Sequence, residues 1–253
     1  MSIKVRDVIL GEGKPKVCVP VVETTHDAII NSLKQTQDKQ FDLVELRIDY
    51  FENLSDESSV KALFADIKNL NLNKPVILTC RSMREGGQSS LENKEYYHLY
   101  EQGIESKAFD IYDVEVEVGT NYAIEFKNLI HQAGCFMLMS YHDFKRTPEI
   151  DTLIQRFDVM ESYEADIYKI AVMPEDQKDV LSLMNFTNVA REKYNKPIVT
   201  MSMSPLGLVT RLSGEQFGSS ITFASDGKAS APGQINYQDM VTILDVIHNS
   251  IEK

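Results

Sequence analysis

"CFMLMSYHDFKRTPEIDTLIQRFDVMESYEADIYKIAV", residues 135–172, decides how the rest of the chain is read. Its ends, CFMLMSYH (135–142) and IYKIAV (167–172), are apolar runs of strand length, and the stretch opening near Glu149 has the spacing of an amphipathic helix. Strand, helix and strand joined by short connections call for parallel pairing. The same alternation recurs outward in both directions. Before it lie KVCVPVV (16–22), LVELRID (43–49), VILTCR (76–81) and IYDVEV (111–116), and after it PIVTMSM (197–203) and SITFAS (220–225). Further helical candidates begin near His26, Asp56, Leu91, Asn121, Glu175, Leu206 and Asn236. Eight such repeats in 253 residues predict an α/β chain folded as one (β/α)8 TIM barrel, with residues 1–253 forming a single domain. The alternative is an open doubly wound sheet, but no GxGxxG or GxxxxGK[ST] loop follows the first strand.

Two strand entrances echo each other, Asn73-Lys74-Pro75 and Asn195-Lys196-Pro197. Proline is tolerated at the first position of a strand, so both read as helix-to-strand turns at the bottom of the barrel. The segment before Lys16, with Gly11 and Gly13 between two short alternating runs, is expected to form a β-hairpin closing that end. Hydrophobic residues make up 43% of the chain, enough for a full core. No apolar run approaches the roughly 18 residues of a membrane helix, and the first residues are too charged for a secretory signal, so a cytoplasmic chain is expected. The net charge of −12 opposes binding to nucleic acid or acidic membranes. It also repels an anionic small molecule unless Arg and Lys cluster locally. Cys18, Cys80 and Cys135 are an odd set without metal-ligand spacing, each in a predicted strand, and read as buried thiols.

Side chains alternate along a strand. In the fourth strand Asp113, Glu115 and, by extension, Glu117 share the inward face, while Val114, Val116 and Val118 face the helices. Inward carboxylates persist only beside cations or a metal. The same parity groups Glu45, Arg47 and Asp49, and turns His142 and Lys169 inward from consecutive strands. Residues at the C-terminal strand ends, where barrel active sites sit, include Arg47, Arg81, His142, Lys169, Met203 and Ser225. A desolvated lysine can lose its proton and attack a ketone to form an imine, and a histidine at matched height on the next strand can move the protons. Read as structure alone, Lys169 would snorkel outward or pair with Glu115, and His142 would be an ordinary core histidine. After the third strand, Arg81 can grip a carboxylate and Glu85 can orient His142, or the segment is a plain glycine turn. Arg211 is a second anion clamp or a helix C-terminal charge. Met201 and Met203 share a face as core or apolar wall. Residues 225–234 read as a lid carrying Ser230 and Gln234, or as a surface loop.

Taken together these residues closely resemble the type I 3-dehydroquinate dehydratase family. Asp113-Val-Glu115-Val, a 20-residue gap and Met137-Leu-Met-Ser-Tyr-His142-Asp match its histidine signature. Glu45-Leu-Arg47, Arg81, Glu85-Gly-Gly, Lys169, Met201, Met203, Arg211, Phe223 and Ser230-Ala-Pro-Gly-Gln234 follow in the family's order. The resemblance runs from about Lys16 onward. It implies a barrel enzyme that forms an imine between Lys169 and the C3 ketone of 3-dehydroquinate, and eliminates water to give 3-dehydroshikimate. His142 would be the general acid and base, Glu85 its orienting partner, and Arg211 the carboxylate clamp. Glu45, Arg47, Arg81, Ser230 and Gln234 would hold hydroxyls, carboxylate or lid, with Met203, Phe223 and Ala231 lining the apolar side. No cofactor or metal is implied, and family members are often homodimers. The rival readings are a class I aldolase using the same lysine, a lyase with Mg²⁺ on Glu45, Asp113 and Glu115, and a non-catalytic carboxylate-binding barrel.

Overall fold

A computed structural model describes residues 2–251. Two short antiparallel strands, β1 (Ile3–Val5) and β2 (Val8–Leu10), form a hairpin in the predicted segment, but its turn falls at Arg6–Asp7, ahead of Gly11 and Gly13. Eight parallel strands follow: β3 (Lys16–Val21), β4 (Leu43–Arg47), β5 (Val76–Thr79), β6 (Ile111–Glu115), β7 (Phe136–Asp143), β8 (Ile167–Val172), β9 (Ile198–Ser202) and β10 (Ile221–Phe223). They pair in chain order, and β10 returns to pair with β3. Between β9 and β10 the Ser220 amide donates to the Ile198 carbonyl at 2.7 Å, so the sheet curls round on itself as a barrel. All eight predicted strands are present. The last is shorter than its apolar run, and Ser225 instead bridges Asn236.

The outer layer is α1 (His26–Gln35), α2 (Glu57–Asn69), α3 (Asn93–Ser106), α4 (Thr120–Gln132), α5 (Ile150–Ser162), α6 (Gln177–Lys193), α7 (Leu208–Leu212), α8 (Gly214–Phe217) and α9 (Tyr237–Ile251). Thr25, Asp56 and Asp176 cap α1, α2 and α6 by accepting first-turn amides, and Glu92 with Glu95 forms a capping box on α3. On α5, Leu153, Phe157 and Met160 recur at helical spacing and are fully buried against the sheet. The helix predicted from Leu206 is broken. Gly207 presses so closely on Ser202 that a Cβ would fall 2.1 Å from its carbonyl oxygen, and a 3₁₀ turn at Pro205–Gly207 precedes α7 and α8.

Two apolar layers result. One lies between strands and helices. The other fills the lower barrel with Cys18, Leu43, Ile77, Ile111, Leu138 and Ile167, which Val5 and Leu10 of the hairpin join from below. The hairpin closes the bottom, as its alternation predicts. Pro75 and Pro197 stand at strand entrances, their carbonyls accepting from Val44 and Tyr168 of the preceding strands.

A further device recurs at the bottom rim. Asp42, immediately before β4, accepts the Val17 amide on Oδ2 at 2.7 Å and donates its own amide to the Val17 carbonyl at 2.9 Å. Asp110 before β6 does the same to Val76, and Asp166 before β8 to Met137. Ser219 before β10 is a variant, its hydroxyl accepting the Thr200 amide at 3.1 Å. Each clasp ties an even-numbered strand to the one before it.

Candidate active site

The upper barrel holds the polar residues. Lys169 lies on the inward face of β8 and is only 4% exposed, with Nζ 3.0 Å from Asp113 Oδ2 and 3.8 Å from Glu45 Oε1. The ammonium also stands 4.5 Å from the Phe223 ring centroid. Its carboxylate partners are therefore Asp113 and Glu45, rather than the Glu115 weighed from sequence. Glu115 is held by the Ser82 amide and hydroxyl at 2.7 and 2.6 Å and by Arg81 at 3.2 Å. Glu117 departs from the predicted inward face. The chain leaves β6 through a 3₁₀ turn at Val116–Val118, which rotates Glu117 out to pair with Arg156 at 2.6 Å.

Arg81, at the end of β5, is the hub. Its Nη2 donates to Asp113 at 2.7 Å, and its Nη1 reaches Ser140 at 2.9 Å, Glu115 at 3.2 Å and Glu85 at 3.4 Å. Burial opposes its charge, but Asp113, Glu115 and Glu85 outweigh burial and hold it well above the usual arginine range. Burial likewise pushes the Asp113 carboxyl up, yet Arg81, Lys169 and Ser140 pull it down to about 2. Arg47 makes a two-pronged pair with Asp49, both contacts 2.8 Å, and Thr79 donates to Glu45 at 2.9 Å. The carboxylates suggested as Mg²⁺ ligands are thus engaged by cations and hydroxyls.

His142 and Lys169 do not sit at matched height. The β7–β8 register pairs Lys169 with Ser140 and His142 with Ala171, which puts the imidazole two residues nearer the mouth. Its Nδ1 lies 2.8 Å from Glu85 Oε2. Burial, reinforced by Arg81, Lys169 and Arg47, drives the imidazole well below its usual range, so it is neutral at physiological pH. Burial and the neighbouring Glu115 and Asp113 raise Glu85 well above the ordinary carboxylate range despite Arg81. Phe144 stacks beside the imidazole at 6.5 Å and 22°.

These groups border one cleft at the C-terminal ends of the strands. It is lined by Glu45, Arg47, Arg81, Glu85, His142, Lys169, Met201, Met203, Phe223, Ser230, Ala231 and Gln234 from the sequence reading, together with Gly86, Phe144 and Ala171. Phe144 went unnoticed although it keeps the parity of His142, and Thr79 although it keeps that of Ile77. Arg211 stands behind this wall, 2% exposed, its Nη1 against Met201 Sδ and the Phe223 carbonyl and its Nη2 on the Pro232 carbonyl at 3.1 Å. Its buried Nε has no partner and no carboxylate pairs with it among the described residues, and burial lowers it to about 10. In the 225–234 segment, Gln234 accepts from the Ser230 amide at 2.9 Å and donates to its hydroxyl at 3.0 Å. Cys18 and Cys80 are buried thiols pushed up by burial, Cys80 to about 12, while Cys135 is half-buried just before β7.

The family model for type I 3-dehydroquinase matches residues 17–251. A 3-dehydroquinate dehydratase of Syntrophotalea carbinolica is 42% identical over 248 residues, covering 98% of each chain. Among solved structures, a type I 3-dehydroquinate dehydratase from Clostridium difficile carrying covalently modified comenic acid superposes with a TM-score of 0.95 at 35% identity, covering 99% of each chain. The 3-dehydroquinate dehydratase of Geobacillus kaustophilus gives a TM-score of 0.95 at 36% identity, covering 98% of this chain and 97% of that one. With matched sequence, matched barrel and a lysine, a histidine and paired arginines at its mouth, this chain belongs to the type I 3-dehydroquinase family.

Proposed function

We propose that the chain is a hydro-lyase that converts 3-dehydroquinate to 3-dehydroshikimate through an imine on Lys169, a step of chorismate and aromatic amino-acid biosynthesis, with the whole chain as its catalytic domain. The observation that carries this reading is that Lys169 and His142 line the same cleft, the amine ion-paired and the imidazole neutral. No helix among the described residues is long and apolar enough to cross a membrane.

Nζ of Lys169, beside Asp113, gives one proton to the ketone oxygen as it attacks C3, and the carbinolamine hydroxyl takes a second as it departs as water. A cationic imine remains, whose charge the Asp113 and Glu45 carboxylates balance. His142, with Nδ1–H donating to Glu85, presents Nε2 as the base that removes a C2 proton. The electron pair moves to the imine nitrogen as an enamine, and returns to expel the C1 hydroxyl, which takes the proton from His142 and leaves as water on the same face. Hydrolysis frees the product, so one water is lost overall. Arg211, which pairs with no carboxylate among the described residues, suits the substrate carboxylate, and its hold on Pro232 links that clamp to the lid.

Incubation with 3-dehydroquinate and borohydride, followed by peptide mapping, tests the reading. A stable adduct on Lys169 is expected. Turnover without any trapped adduct, or an adduct on another lysine, would refute it.

A further inference from the structure

A carbonyl of β6 is held from outside the barrel. Tyr100 of α3 is fully buried, and its hydroxyl donates to the Asp113 carbonyl at 2.5 Å. Tyr96, one turn earlier, places its hydroxyl 3.1 Å from both that carbonyl and the Tyr100 oxygen. The Tyr100 oxygen also accepts the Cys80 amide at 3.3 Å. These contacts fall where the β5–β6 pairing ends, at Thr79 and Asp113. The first amide beyond β5 therefore finds a phenol, and the chain there is joined to β6 through a side chain of the helix layer.

The residues set by this junction are those that govern the charge around Lys169. Arg81 follows Cys80 directly. The Asp113 side chain springs from the very peptide unit whose carbonyl is held, and meets Arg81 at 2.7 Å and Lys169 at 3.0 Å. The Tyr100 ring has little freedom, packed against Tyr96, Phe126 and Tyr112 with centroids 4.7, 5.3 and 5.7 Å away. Burial keeps both phenols well above their usual range, so each retains its proton.

We propose that Tyr100, seconded by Tyr96, is a positioning residue for the imine reaction: its hydroxyl fixes the point where the β5–β6 pairing ends so that Asp113, held by Arg81, meets Lys169 in the geometry imine formation requires. This rests on the lysine-imine reading above. The residue touches no substrate and acts through Asp113.

Tyr100→Phe removes the hydroxyl and keeps the ring. Since displacement of a reacting group by about 1 Å costs up to roughly 100-fold, kcat on 3-dehydroquinate should fall roughly tenfold or more, with KM within about twofold and the kcat–pH profile displaced. In an Asp113→Asn background the same change should add less than about twofold, because independent effects add and coupled ones do not. An unchanged kcat and pH profile, or an equal loss in both backgrounds, would overturn the proposal. Should Tyr100→Phe not fold, Tyr96→Phe is read by the same profile, and an unaltered profile there overturns it too. Failure of the unsubstituted protein to dehydrate 3-dehydroquinate or to be trapped on Lys169 would instead strike the reading beneath.

Discussion

The carboxylate of Asp113 is buried between Arg81 and Lys169 and held at about 2, against an ordinary 3.8. A group depressed on folding lends stability above its unfolded value and loses it as pH falls through the folded one, here between 3.8 and about 2. The difference corresponds to about 2 kcal/mol at roughly 1.36 kcal/mol per pH unit. Between pH 5 and pH 2, wild type should lose about that much more stability than Asp113→Asn, measured by urea unfolding. His142→Ala should leave borohydride trapping on Lys169 intact while turnover drops by roughly 100-fold or more, the loss typical of a missing acid–base group. Near-normal turnover would remove the imidazole from the mechanism. For Arg211→Ala, loss of a charged hydrogen bond worth about 1.5–3 kcal/mol predicts KM raised roughly 10- to 100-fold with kcat little changed. An effect confined to kcat would contradict a clamp.

At the level of elements, the turn after β5 shows how a loop can be as exacting as a strand. Gly86 has φ +77°, and a Cβ there would lie 2.4 Å from the Phe144 ring. Gly86→Ala should therefore cost about 1–2 kcal/mol of stability for the left-handed backbone alone, and depress turnover further by shifting Glu85 from His142, read by thermal melting and steady-state kinetics. The strands were legible because a buried parallel strand needs a short apolar run between amphipathic helices, and parity along Ile167–Val172 turned its lysine inward while leaving a structural pairing open as the other reading. Inward parity placed Asp113 and Glu115 correctly. It failed at Glu117, because no strand signal announces that the chain will turn into a 3₁₀ helix there. The relative height of His142 and Lys169 was likewise hidden, since register between strands depends on hydrogen bonds that one-dimensional alternation does not specify. Arg211 could be named as a clamp, but its seat behind Met201 and Phe223 depends on the broken helix around Gly207.

Across the whole molecule, an apolar lower barrel supports a charged upper one. Leu10 of the hairpin is fully buried under Ile77, Ile111 and their neighbours, so Leu10→Ala should cost about 2–5 kcal/mol in denaturant unfolding while leaving the pH dependence of kcat untouched. A shifted pH profile would mean that the two ends are less separate than their packing indicates. Yet they are joined by one geometric thread. The aspartate clasp at Asp166 and Met137 locks β7 against β8 at the floor, and strands rise about 3.3 Å per residue from wherever they are locked. A slip of a single residue at that floor would turn every side chain above it to the opposite face. The vertical offset between proton shuttle and nucleophile is thus inherited from a carboxylate at the far end of the cylinder that never meets the substrate.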